Sequence, residues 1–196
     1  MDSKIQAAKL ISKILTPFSV AAMVSTAISW FSPIGIGPSM NPPSSTLTGI
    51  LMLCVGPFVP VAYNAARCKS DPDVSDASKR IPLYGLGLAS YTVGAVVFLV
   101  FGNWVMFVMA LAYLCVGSTM LAITFVWKIS AHTAGVAGPT TALVFVFGTW
   151  TFPLYALSIL MVWSRVRLHA HTLPQAVAGL VVAIAVTGLV YLAFYP

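Results

Sequence analysis

Apolar positions run almost without interruption over about 14–31, 47–66, 82–101, 104–127 and 173–194. Each run is close to the roughly 20 residues that a helix needs to cross the hydrocarbon core of a bilayer. Between 128 and 172 the pattern is open to two readings. Residues 138–163 form one long helix, giving six spans, or Gly148-Thr149-Trp150-Thr151-Phe152-Pro153 turns the chain between two short helices, about 133–147 and 152–165, giving seven. Proline either kinks or ends a helix, so local signals do not choose between them.

The polar punctuation separates these runs. Residues 32–46 hold four prolines and two glycines without a charge and read as a loop. Residues 67–81 carry the densest charge in the chain, Pro82 is placed to open the third long helix, and Gly102-Asn103 turns the chain into the fourth. Upstream of the first run, Lys4, Lys9 and Lys13 alternate with Ile5, Leu10 and Ile14, the pattern of a short amphipathic helix lying at the membrane interface. No small-residue cleavage site followed by a soluble mature domain appears, so the segment is expected to stay with the chain.

Charge favours seven spans. With seven helices all ten Lys and Arg residues fall on the side of the N-terminus and the opposite loops carry none; with six, Arg165 and Arg167 cross over. Basic residues concentrate on the cytoplasmic side, which puts the N-terminus and every charged loop there and the C-terminus outside. Composition agrees: 59% of the 196 residues are hydrophobic and 7% charged, far from the quarter charged of a soluble domain. The fold class expected is all-α, a polytopic transmembrane bundle in one domain, 1–196. The net charge of +6 then reads as topology and headgroup contact rather than nucleic-acid binding. Cys54, Cys68 and Cys115 have neither metal-ligand spacing nor the pattern of a disulfide framework.

Three polar segments share the basic face: 67–82, 128–133 and 164–175. They bring Lys69, Lys79, Arg80, Lys128, Ser130, His132, Arg165, Arg167, His169 and His171 to one side. Arginine binds phosphate oxygens bidentately, and histidine can serve as nucleophile or proton donor near neutral pH. Milder roles stand beside these. Lys128 at a helix end suits a snorkelling anchor, Arg167 a headgroup contact and His169 a rim position.

These residues resemble the type 2 phosphatidic acid phosphatase (PAP2) superfamily of membrane lipid phosphatases. Ser164-Arg165, five residues, His171 and then Gln175 follow the family's S-R-x5-H-x3-D motif except at the last position. Ile129-Ser130-Ala131-His132 keeps the Ser and His of P-S-G-H, and Arg80-Ile81-Pro82 keeps the Arg of K-x6-R-P. Asp73 stands where that Lys belongs, which leaves Lys69 or Lys79 to replace it. The motif-bearing region is 69–179, in the family's order.

The resemblance implies a PAP2-like core and an enzyme that hydrolyses a lipid phosphate or diphosphate, isoprenoid by expectation, with no cofactor. His171 would be the nucleophile, His132 the acid and base, and Arg165 and Arg80 the phosphate clamp. Lys69, Lys79, Ser130 and Ser164 would add phosphate contacts, and Gln175 would orient His171. A separate reading places Mg²⁺ on Asp71, Asp73 and Asp76, as in membrane prenyltransferases, against a solvated loop in which those acids pair with Arg67, Lys79 and Arg80. A third is a non-catalytic subunit that binds lipid in an inherited phosphatase site.

Overall fold

The structure is a computed structural model. It describes residues 3–68 and 77–196, and the side chains of 3–66 and 81–196. Every regular element among them is helical: α1 Ser3–Ile14, α2 Pro17–Phe31, α3 Pro42–Gly49, a π-helical stretch Ile50–Val55, α4 Gly56–Cys68, α5 Ala77–Val100, α6 Trp104–Thr124, α7 Ala131–Phe147, a 3₁₀ turn Thr149–Leu154, α8 Tyr155–Arg167 and α9 Leu173–Phe194. The protein is a multi-pass membrane helical bundle. Large apolar side chains such as Phe31, Val100, Leu189 and Leu192 are exposed around its outside, where lipid tails would meet them.

The expected helices are present, with shifts that have local causes. The second run starts at Pro42 rather than near 47, because Asn41 caps it: Oδ1 accepts from Ser44 N–H at 2.9 Å, while Ser44 Oγ accepts from Asn41 N–H at 3.1 Å. Prolines 42 and 43, read as loop, occupy the first helical positions, where a missing N–H costs nothing. The same helix loosens to π over 50–55, and there Ser90 Oγ donates to the Met52 carbonyl at 2.7 Å. Such side-chain donors are how a broken helix keeps its backbone satisfied in lipid. Pro82 does not open α5, which begins at Ala77. At the other end, α6 stops at Thr124 rather than 127, as Val126 and Trp127 N–H both turn back onto the Ile123 carbonyl.

Between 131 and 167 the chain forms two helices. Gly148 sits at φ +96°, a conformation that L side chains rarely adopt, and there α7 ends and the chain reverses into α8. The expectation of seven full spans is corrected. Among the described residues four helices have the length and hydropathy to cross a bilayer: 42–66, 81–100, 104–124 and 173–194. The α1–α2 pair, bent by 49°, makes a fifth if taken as one span. At 17 and 13 residues, α7 and α8 span about 26 and 20 Å at 1.5 Å per residue, short of a core of about 30 Å.

α1 packs on the bundle through α8. Ala8 is fully buried against α8, Ser164 Oγ donates to the Ala8 carbonyl at 2.7 Å, and Lys4, Lys9 and Lys13 point outward. The core proper is α6, wrapped by α2, α5, α7 and α9, with Val105, Met106, Val108, Met109 and Ala110 shut off from the surroundings.

At the end away from the charges, Asn103 ties three helices. Its Oδ1 caps α6 through Met106 N–H (3.3 Å), its Nδ2 donates to Ser45 Oγ (2.9 Å), and Ser45 meets Ser29 Oγ at 2.7 Å. Asn103→Ala loses a cap and the buried bond to Ser45. The expected cost is about 2–3 kcal/mol, read as a lower melting temperature in detergent with an unchanged helical spectrum.

Candidate functional site

The N-terminus of α7, the turn after α8 and the first turns of α2 meet at one end of the bundle. They surround a cavity of about 210 Å³. His132, Arg165 and His171 all line it. The hairpin at Gly148 is what brings them together, since 33 residues separate Arg165 from His132.

Each is placed by its own local geometry. Ser130 caps α7, Oγ accepting from Thr133 N–H at 3.4 Å, so His132 falls in the first helical turn. There Ala131, His132, Ala134 and Gly135 face the cavity, at the end of the helix whose dipole and free N–H groups favour an anion. Arg165 is only 2% exposed. Its Nη1 donates to Ser12 Oγ at 2.8 Å, so α1 holds one arm of the guanidinium beside the cavity. An arginine stays charged in a protein, so the guanidinium brings a fixed positive charge to the cavity wall.

His171 is brought back beside Arg165 by the end of α8. Ala170 and His171 N–H both bond the Arg165 carbonyl, at 3.1 and 3.3 Å, and His169 N–H bonds Val166 O at 3.0 Å. This is a Schellman turn, with His169 at φ +52° in the left-handed position where glycine is usual. His171, 8% exposed, turns in and His169 stays out. His169→Gly is expected to relieve this conformation, leaving stability unchanged or raised by up to about 1 kcal/mol in thermal unfolding.

Several expected site residues are engaged elsewhere. Ser164 is spent on the Ala8 carbonyl and does not line the cavity, and Ser130 serves as the α7 cap. Gln175 does not orient His171 through its carbonyl oxygen, because Oε1 accepts from Thr172 N–H at 3.0 Å in a capping box at the start of α9. Arg167 and His169 line a separate outer groove with Trp163 and Leu173. Lys69, Asp71, Asp73 and Asp76 lie outside the described residues, as do the side chains of Lys79 and Arg80. Among the described residues no three His, Cys, Asp or Glu side chains gather as a metal site.

Other residues enter that the polar segments do not announce. Ser12 positions Arg165, and its only signal is its place four residues after Ala8 on the small-residue side of an amphipathic helix. The walls of the cavity are otherwise mostly apolar and aromatic, with Phe18, Tyr84, Tyr91, Tyr113, Met109 and Met120 among them. Tyr91 and Tyr113 pack ring to ring at 5.3 Å. The whole has a cationic, imidazole-bearing end and an apolar remainder, which suits an amphiphile with an anionic head. Family models, curated proteins and solved structures yield no match to this chain.

Proposed function

We propose that the protein hydrolyses a lipid phosphate or diphosphate, as a divergent relative of the PAP2 phosphatases. One observation supports this more than any other: His132, Arg165 and His171, from two distant segments, line a single cavity whose other walls are apolar. In this reading Arg165 and the α7 N-terminus bind the phosphate oxygens. An imidazole nitrogen of His171 attacks phosphorus as the P–O bond to the lipid breaks, and His132 gives its proton to the leaving oxygen. His132 then takes a proton from water, which attacks the phosphohistidine, and phosphate leaves with His171 restored. Arg165 stabilises the charge that grows on the equatorial oxygens. The isoprenoid character of the lipid and the cytoplasmic placement of the site belong to the same proposal. The placement follows from basic residues at this end and their absence from the opposite loops 32–41, 101–103 and 148–154.

A second reading has its own support. Gln175 stands where the family motif carries Asp, and its oxygen is committed to its cap. An amide in place of that carboxylate gives His171 no charge-assisted hydrogen bond from this position, which fits a protein that binds lipid phosphate and turns it over slowly or not at all. The test is phosphate release from lipid mono- and diphosphates by protein in nanodiscs, with and without EDTA. Release that survives EDTA, with a phosphohistidine trapped on acid-free quenching, supports the hydrolase. Saturable binding without release supports the second reading. Diphosphate released only when an added acceptor takes up the prenyl group, abolished by EDTA and restored by Mg²⁺, supports the prenyltransferase-like use of Asp71, Asp73 and Asp76.

A further inference from the structure

The cavity is longer than a phosphate site requires. His132 lines it in the first turn of α7 and Ala142 lines it ten residues further along the same helix, a separation of about 15 Å at 1.5 Å per residue. Ala142 is 1% exposed, and the other residues around it at that depth are closed off as well: Met109 0%, Thr187 2%, Ala112 3%. Met109 is itself held, since Tyr191 Oη donates to its Sδ at 3.7 Å from a fully buried position. The cavity is therefore a cleft between α2, α4, α5, α6, α7 and α9, with imidazoles and a guanidinium at one end and a packed apolar floor at the other.

We infer that this cleft takes the lipid tail end-on, inside the bundle, and that Ala142 and Met109 set the longest tail that fits. The ligand class this commits to is a single-chain lipid phosphate, one tail for one cleft. This assignment rests on the phosphate-lipid reading above and narrows it. A tail lying in the bilayer would leave the rate indifferent to its length. A tail with its end in this cleft meets a limit: carbons up to the floor pack against apolar walls, and those beyond it find no space and must bend the chain or draw the head out of its site.

The probe is a set of single-chain alkyl phosphonates, which cannot be hydrolysed, each with a diazirine at the tail terminus, photolysed with the full-length protein in nanodiscs. Tails that reach about 15 Å are expected to label the α6, α7 and α9 peptides around Met109, Ala142 and Thr187. In Ala142→Phe that deep labelling falls at least tenfold and the preferred competitor becomes several carbons shorter. In Met109→Ala, which does not depend on fitting a larger group, the limit moves to longer tails. Labelling confined to the lipid-facing side chains at every length, or a limit unmoved in Met109→Ala, overturns the cleft. Phosphate release is measured in parallel on the matching alkyl phosphates. Deep labelling without release removes the hydrolase and leaves the cleft, while release with only outer labelling does the reverse.

Discussion

Phosphate release from a lipid phosphate is expected to fall by at least about 10³-fold in His171→Ala and in His171→Gln, because the nucleophile has no substitute in the cavity. The glutamine variant matters for interpretation. His171 is buried, and an amide of similar size keeps the volume beside Arg165 while removing the nucleophilic imidazole. Both variants should still bind a non-hydrolysable phosphonate within a few-fold, since Arg165 and the α7 N-terminus remain. His132→Gln should differ: it keeps the nucleophile and loses the proton donor, so substrates with a poor leaving group suffer by the 10²–10⁴-fold typical of general acid–base catalysis. A substrate with an activated phenolate leaving group should largely escape in the first step. His169→Ala is the neighbouring control, exposed and outside the cavity, with release expected to stay within about threefold of wild type because it touches none of the reacting groups. Undiminished release in both His171 variants sinks the mechanism, whatever happens to His132.

The bundle was legible because hydrophobic length and charge placement are properties of the chain itself. The hairpin within 131–167 is the informative case. Pro153 leaves the choice between kink and break open, whereas the one-sidedness of Lys128, Arg165 and Arg167 requires the chain to return, and it returns at Gly148. Membrane depth was harder to read. Apolar composition says that α7 and α8 are buried in something, and helix–helix packing satisfies that as well as lipid does, so 17- and 13-residue helices resemble spans in sequence. At the site, motif spacing singled out His132, Arg165 and His171, which line one cavity, while Ser164, Ser130 and Gln175 make other contacts. Thr172-Leu173-Pro174-Gln175 is itself a capping-box sequence with proline at the start of a helix, so its glutamine had a local partner available three residues away. Ser164 has no such local clue. Its partner, the Ala8 carbonyl, is 156 residues distant, and only the packing of α1 on α8 reveals it. The same contact explains why Ser12 escaped notice. The apolar cleft was invisible for a further reason: Phe18, Tyr84, Met109, Ala142 and Thr187 come from five helices and share no spacing.

Gly179→Ala is expected to destabilise the protein by about 1–3 kcal/mol or more, the cost of forcing a methyl group into a packed interface. A Cβ at this position would fall on the Ser130 carbonyl oxygen and on Thr133 Oγ1, with the Ser130 carbonyl carbon 3.3 Å away. Two of these atoms are backbone and cannot swing aside. Thr133 Oγ1 is fixed too, since it donates to that same Ser130 carbonyl at 3.0 Å. The methyl group must therefore separate α9 from α7, which pack closely on each other. Separation also strains the bond from Ser130 N–H to the Gln175 carbonyl, 3.3 Å, which pins the start of α9 to the start of α7. His132 follows Ser130 by two residues and His171 precedes the α9 cap by one, so the same displacement moves the two imidazoles apart. A lower melting temperature should then come with a loss of release larger than the loss of folded protein. Gly188→Ala, nine residues along the same helix with nothing within 4 Å of the added methyl, is the matched control and should be neutral or slightly stabilising in both measurements. Equal behaviour of the two variants would mean that the α7–α9 contact does not hold the site together.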